Sequence, residues 1–174
     1  CVEVCPNRAN LTFSTGPVRY ELPRLACQDG ALSVVGSDVF QIAQGRQILH
    51  IDDWCNECDN CQTFCVHQGK PYTEKPRLFL NEADFLLEAD NAFFIDGGTV
   101  RRRQGGAESR LTREVDCLSY ENDWLQLALT PDFEVTAMAL KEPFTTAVSV
   151  RDAALETNGD GVSRGVRSRL FSLA

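Results

Sequence analysis

Two cysteine runs and a succession of strand-sized apolar segments predict an α+β chain. The longer run, C-N-E-C-D-N-C-Q-T-F-C, places cysteines at 55, 58, 61 and 65. This is C-x2-C-x2-C-x3-C, the spacing of bacterial iron–sulfur ligands. The chain opens with C-V-E-V-C-P, so Cys1, Cys5 and Pro6 match the end of that same pattern. The expected fold is a bacterial 2[4Fe-4S] ferredoxin-like module with an inserted β-hairpin, followed by a β-rich C-terminal region with terminal helices. The expected domains are 1–75, with the insertion at about 11–46, and 76–174, of unknown role.

The elements follow from periodicity and turn residues, in chain order. Leu11–Ser14, Val18–Leu22, Leu32–Val35, Val39–Ala43 and Gln47–Ile51 read as short strands. They are punctuated by Gly16-Pro17, Asp29-Gly30 and Gly36-Ser37-Asp38. A compact two-cluster module needs less chain than lies between Cys5 and Cys55, which is why an inserted hairpin is expected. A short helix from Asp59 to Val66 continues out of the cysteine loop and stops at Gly69-Lys70-Pro71-Tyr72. Arg77–Leu80 reads as a strand, and Asn81 as the cap of a helix over Glu82–Ala89. Ala92–Ile95, Thr99–Arg103, Leu111–Val115, Trp124–Leu129 and Val135–Leu140 read as strands, with turns at Asp96-Gly97-Gly98 and Gln104-Gly105-Gly106. Thr145–Glu156 and Val162–Leu173 read as helices. Between them, Asn158-Gly159-Asp160-Gly161 lacks the acidic spacing of a calcium loop and reads as a turn.

Composition narrows the function classes. The 174 residues carry a net charge of −8, and the sequence pI is about 4.8. A nucleic-acid-binding surface carries basic excess, so nucleic acid is not the expected partner. No apolar run is long enough to cross a bilayer as a helix, so no membrane partner is expected. An acidic carrier suits docking on a basic redox partner, although acidity also serves solubility. Six of the eight cysteines fall in the two short runs, which favours a metal site over a disulfide framework. Thiolate ligands need a reducing compartment, so a cytoplasmic location is expected. The chain starts at Cys1, partway through a motif, so an upstream region is expected as well.

The ligand assignment follows from the crossover rule, by which the fourth cysteine of each run serves the other cluster. Cys55, Cys58 and Cys61 should hold one [4Fe-4S] cluster, closed by Cys5. Cys65 and Cys1 should serve a second cluster, whose other ligands lie upstream. A zinc site is the competing assignment, but zinc uses pairs of C-x2-C joined by longer spacers, and three cysteines in a row crowd a single ion. Val66 stands where the pattern carries proline, leaving the turn after Cys65 less fixed. His67 and His50 are weaker candidates, since isolated histidines more often pack or face solvent. Cys27 and Cys117 read as buried small hydrophobes. Val2, Leu11, Ile51 and Phe64 are candidates for an apolar wall around the site. Arg101-Arg102-Arg103 reads as a solvated edge strand. No carboxylate pair, Ser/His/Asp set or dinucleotide glycine motif appears, so no substrate-transforming site is visible.

With these residues in hand, the chain resembles the C-terminal part of the selenate reductase subunit family of ferredoxin-containing oxidoreductases. The resemblance rests on C-V-E-V-C-P-N-R-A-N at 1–10 and Leu49-His50-Ile51-Asp52 before Cys55. It continues with C-N-E-C-D-N-C at 55–61 and G-K-P-Y at 69–72, and more weakly through Arg77–Phe85 and Phe93–Arg103. It implies an upstream domain similar to the small subunit of glutamate synthase, binding FAD and NAD(P)H in the same chain. It also implies a partner redox enzyme such as a molybdenum hydroxylase. The function expected is an iron–sulfur electron-transfer module relaying electrons from that flavin domain to the partner. The alternatives are a [4Fe-4S] cluster acting as a structural staple in a subunit-docking module, and a zinc-stapled interaction domain.

Overall fold

The computed structural model describes residues 1–28, 31–141 and 148–149. Along the chain its strands are β1 (Asn10–Ser14), β2 (Val18–Gln28), β3 (Ala31–Ile42), β4 (Arg46–Ile51), β5 (Arg77–Phe79) and β6 (Ala92–Asp96). They continue with β7 (Thr99–Gln104), β8 (Ala107–Arg113), β9 (Leu118–Glu121), β10 (Leu125–Leu129), β11 (Val135–Leu140) and β12 (Val148–Ser149). Three short helices are α1 (Asn60–Thr63), α2 (Pro71–Glu74) and α3 (Glu82–Leu87). The expected ferredoxin-like α+β module is therefore not what forms. The protein is mostly β, with mixed parallel and antiparallel pairing, and no described helix exceeds 6 residues. The ligand spacing fixes where thiols sit along a loop. It does not dictate what the loop is attached to.

Two compact units divide the chain. One comprises Cys1–Gly16 and Gln44–Gly106, the other Pro17–Ala43 and Ala107–Ala174. In the first, β1 pairs antiparallel with β4, β4 runs parallel to β5, β5 parallel to β6, and β6 antiparallel to β7. Parallel neighbours cannot be joined by a tight turn and need a crossover. The β4-to-β5 crossover is the cysteine loop with α1 and α2. The β5-to-β6 crossover is α3, whose fully buried Phe85 packs on Phe79 and Ala92. Asn81 caps α3 as its sequence promised, accepting the Ala83 N–H at 2.9 Å.

In the second unit β8, β9, β10 and β11 form an antiparallel meander. Leu118, Tyr120, Leu125, Leu127 and Leu129 alternate along β9 and β10 and make its core, with Leu111, Phe133 and Met138 packed on them. The long hairpin β2–β3 pairs with β12. The predicted break at Gly36 is instead a bulge. Arg24 faces Gly36 and Leu25 faces Val34, so Val35 is the extra residue and β3 continues past it.

Other expectations are corrected locally. The Asp59–Val66 helix shrinks to the single turn α1, since Asp59 takes a left-handed φ of 59° and gives no side-chain cap. The Trp124–Leu129 strand begins at Leu125, and β9 was not foreseen. The Thr145–Glu156 helix is contradicted at Val148–Ser149, which pair as strand, while its remainder, Val162–Leu173 and Asn158–Gly161 lie outside the described residues. Arg101–Arg103 is not a solvated run. Arg102 is buried, and the Arg101 guanidinium lies 5.0 Å from the centre of the Phe85 ring.

Candidate thiol site

The site is assembled from the chain's first nine residues and the β4-to-β5 crossover. A 3-10 turn, Asp52–Trp54, carries the chain off β4 and delivers Cys55. Both of its acids are anchored. The Asp52 carboxylate accepts from Arg77 at 2.8 Å, and Arg77 also holds Glu88 at 2.9 Å while stacking on Phe79. The Asp53 carboxylate accepts the Leu80 N–H at 2.8 Å. The start of the loop is thereby tied to β5 and the residues that follow it.

Beyond Cys55, Glu57 and Asp59 have positive φ values of 50° and 59°, which coil the backbone tightly. That coiling turns the Glu57 N–H onto the Cys55 sulfur at 3.3 Å. It also lets the Asp59 carboxylate accept from the buried Tyr72 hydroxyl at 2.6 Å, and this bond pushes the Tyr72 pKa up to about 12. Cys61 is buried on α1 and Cys58 is exposed.

The two ends of the cysteine pattern fold alike. After Cys5, the Arg8 N–H bonds the Cys5 carbonyl at 3.2 Å, Arg8 has φ 54°, and the Ala9 N–H points at the Cys5 sulfur at 3.3 Å. After Cys65, the Gln68 N–H bonds the Cys65 carbonyl at 3.1 Å, Gln68 has φ 55°, and the Gly69 N–H bonds the Cys65 sulfur. Segments 1–9 and 61–69 are thus one turn used twice. Val66 replaces the proline of the first copy without loss of the turn, because the reversal is held by backbone hydrogen bonds rather than by a fixed φ at that position.

These bonds set the thiols' charge preference. Hydrogen bonds from the Gly69 and His67 backbone hold the Cys65 pKa below the usual thiol value. Burial pushes Cys55 up, opposed by the Glu57 N–H and aided by the nearness of Cys5 and Cys61 and by Asp52. Cys55 therefore lies near both Cys5 and Cys61, and these are three of the four residues assigned to one cluster. Among the described residues, no three His, Cys, Asp or Glu side chains converge closely enough to hold a single metal ion. Donated N–H groups on cysteine sulfurs fit thiolate ligands. The side chains of an iron–sulfur cluster reach separate iron atoms, so they stand wider apart than the ligands of one ion.

The other candidates separate clearly. His67 is exposed and contributes its backbone N–H. His50 is fully buried on β4 and bonds Asn10. Cys117 is exposed in the turn before β9, contrary to the buried reading, and Cys27 lies on β2 opposite Leu32. Of the proposed apolar wall, Ile51 is buried, whereas Leu11 and Phe64 are 40% and 65% exposed. Val2 and Phe64, with Glu3, Thr12, Arg46 and Ile48, line a cleft of about 440 Å³ beside Cys1. Sequence reasoning missed Tyr72 and Asn10 as partners of the site. Their signal lay in G-K-P-Y and N-R-A-N, where polar residues recur beside each cysteine run.

The protein is thus a mostly β chain presenting a twice-used thiol turn and a cysteine-bearing crossover between parallel strands. Its sequence is 32% identical over 103 residues to YgfK, a provisionally named oxidoreductase, from Escherichia coli strain K12 and from E. coli O157:H7. The similarity covers 59% of this chain and 8% of each relative's length, so the chain corresponds to a small part of those proteins. No family model and no solved structure matches the chain. No described helix is long and apolar enough to cross a membrane.

Proposed function

We propose that this chain is the iron–sulfur electron-transfer segment of a larger oxidoreductase. Cys5, Cys55, Cys58 and Cys61 hold one [4Fe-4S] cluster, and Cys1 and Cys65 are ligands to a second. The observation that carries this reading is the crossover loop, which sets Cys55 within electrostatic reach of both Cys5 and Cys61, together with the backbone N–H groups that point at the sulfurs of Cys5, Cys55 and Cys65. When bound, such a cluster exchanges single electrons. The chain's residues hold the sulfurs, donate hydrogen bonds that stabilise thiolate charge, and keep Cys61 from water. The sequence similarity to a named oxidoreductase supports a redox role. By the resemblance drawn from the cysteine runs, the donor is an upstream domain binding FAD and NAD(P)H, and the acceptor a redox enzyme such as a molybdenum hydroxylase. A cytoplasmic location belongs to the same proposal.

The test is anaerobic reconstitution with iron and sulfide, followed by visible absorption and by EPR during a dithionite titration. A brown protein with a reversible paramagnetic reduced state is expected. A brown protein that cannot be reduced favours a structural staple, and a colourless protein carrying zinc overturns the cluster altogether. Cys58→Ser should abolish the colour of the complete cluster. Undiminished iron in that variant would remove Cys58 from the ligand set and leave the crossover assignment without its exposed member.

A further inference from the structure

We infer that His50 and Asn10 form a positioning pair that holds the loop bearing Cys1 and Cys5, acting through the Cys1 carbonyl. Both side chains are 1% exposed, among the most deeply buried in the protein. Asn10 donates from Nδ2 to the Cys1 carbonyl oxygen at 3.3 Å. That bond orients the amide and leaves its Oδ1 to accept. His50 Nδ1 lies 3.0 Å from that Oδ1, so His50 must carry its proton on Nδ1 and donate. The opposite nitrogen, Nε2, is buried with no hydrogen-bond partner among the described residues. A buried acceptor left unpaired is costly, and an apolar ring of similar size would avoid the cost. The single donated bond to Asn10 is therefore what the imidazole supplies at this position.

The backbone beneath the pair is fixed on both sides. The His50 N–H bonds the Pro76 carbonyl at 2.9 Å, and Asn10 faces His50 in the β1–β4 register. The next residue repeats the link by another route. Ile51 donates its N–H to the Ala9 carbonyl at 2.7 Å, and Ala9 donates its own N–H to the Cys5 sulfur. Two consecutive residues of β4 thus reach both cysteines of the first turn. Among the described residues the second copy of the turn is anchored differently. Lys70, the counterpart of Asn10, gives its backbone N–H to the Glu74 carboxylate at 2.9 Å. The pair therefore makes the first turn the one whose pose depends on the sheet behind it.

The importance of the pair for electron transfer rests on the ligand reading above, but its existence can be measured without metal. Alkylation of each cysteine by iodoacetamide at fixed pH, resolved by mass spectrometry, reads the pose of the loop, with Cys117 as internal reference. His50→Phe should raise the rates at Cys1 and Cys5 relative to Cys117 by about fivefold, the loss of one hydrogen bond. His50→Asn, which keeps a donor at the Nδ1 position, should restore most of the protection. Asn10→Asp keeps the acceptor for His50 and removes the donor to Cys1, so Cys1 should be exposed more than Cys5. Unchanged rates in both His50→Phe and Asn10→Asp overturn the inference. So does an equal rise at every cysteine, or unfolding of both variants, either of which makes the effect global. If the wild-type protein takes up no iron while the rates change as described, the cluster reading fails and the positioning pair stands.

Discussion

A buried imidazole whose Nε2 has no hydrogen-bond partner among the described residues makes this protein sensitive to acid. Burial lowers the His50 pKa from its ordinary 6.5, Asp52 opposes that shift, and Arg77 adds to it. The folded chain therefore prefers neutral His50 more strongly than the unfolded chain does. Stability is fully present above the unfolded value and is lost as pH falls below 6.5, through the window down to the folded pKa. The loss is at most about 1.4 kcal/mol per pH unit. Denaturant melts between pH 7 and 5 should show this slope in the wild type and a shallower one in His50→Asn. Equal slopes would assign the acid sensitivity elsewhere. Tyr72 contributes in the alkaline range. Its folded pKa of about 12 lies above the ordinary 10, so the stability it contributes persists below pH 10 and is lost as pH rises through 12. Tyr72→Phe should remove that alkaline component from the melts. A variant that keeps it would assign the alkaline component to another titrating group. Neither dependence was legible in the sequence. The Tyr72–Asp59 and His50–Asn10 bonds join residues 13 and 40 positions apart, and spacing rules see only close neighbours.

At the scale of elements, what the sequence revealed was what local chemistry decides alone. Asn81 ahead of Glu82 and Phe85 is a helix start whatever surrounds it, and α3 begins there. Asn81→Ala should cost about 1 kcal/mol in chemical denaturation, since it frees the Ala83 N–H. A cost near zero would mean that the Phe85 contacts alone hold α3. Alternation likewise gave β6, β7 and β11 nearly to the residue. The failures share one cause, which is that partners override local pattern. Gly36 looked like a turn, but pairing with β2 absorbed it as a bulge. Asp59–Val66 looked helical, but Asp59 takes a left-handed φ and only the single turn Asn60–Thr63 forms. Three adjacent arginines looked solvated, but Phe85, Phe93 and Phe94 offer ring faces that their guanidinium groups cover. The same logic explains the mistaken fold class. Cysteine spacing reports the geometry of a loop, and the identical loop is served equally well by a crossover between parallel strands of a larger sheet.

At the scale of the whole molecule, the hairpin β2–β3 is the feature whose removal says most. It leaves β1 and returns to β4, which are themselves paired directly, from Asn10 opposite His50 to Ser14 opposite Arg46. One step beyond that ladder, the Thr15 N–H bonds the Gly45 carbonyl at 2.9 Å. Deleting Pro17–Ala43 from the chain therefore leaves Gly16-Gln44 between two residues already in hairpin register. A two-residue loop with glycine first suits a type II′ turn, whose twist matches the strands it joins. Shortening the connection also lowers its closure entropy, by roughly 2 kcal/mol. The unit formed by Cys1–Gly16 and Gln44–Gly106 should keep its fold, with the relative alkylation rates of Cys1, Cys5, Cys55 and Cys61 unchanged. The other unit loses β2 and β3, so the effect should fall there and be read in its tryptophan, Trp124, whose backbone N–H donates to the Asn122 side chain. If the deletion instead exposed the cysteines of the first unit, the hairpin would be a support of the thiol site and not a separable elaboration of the β1–β4 connection.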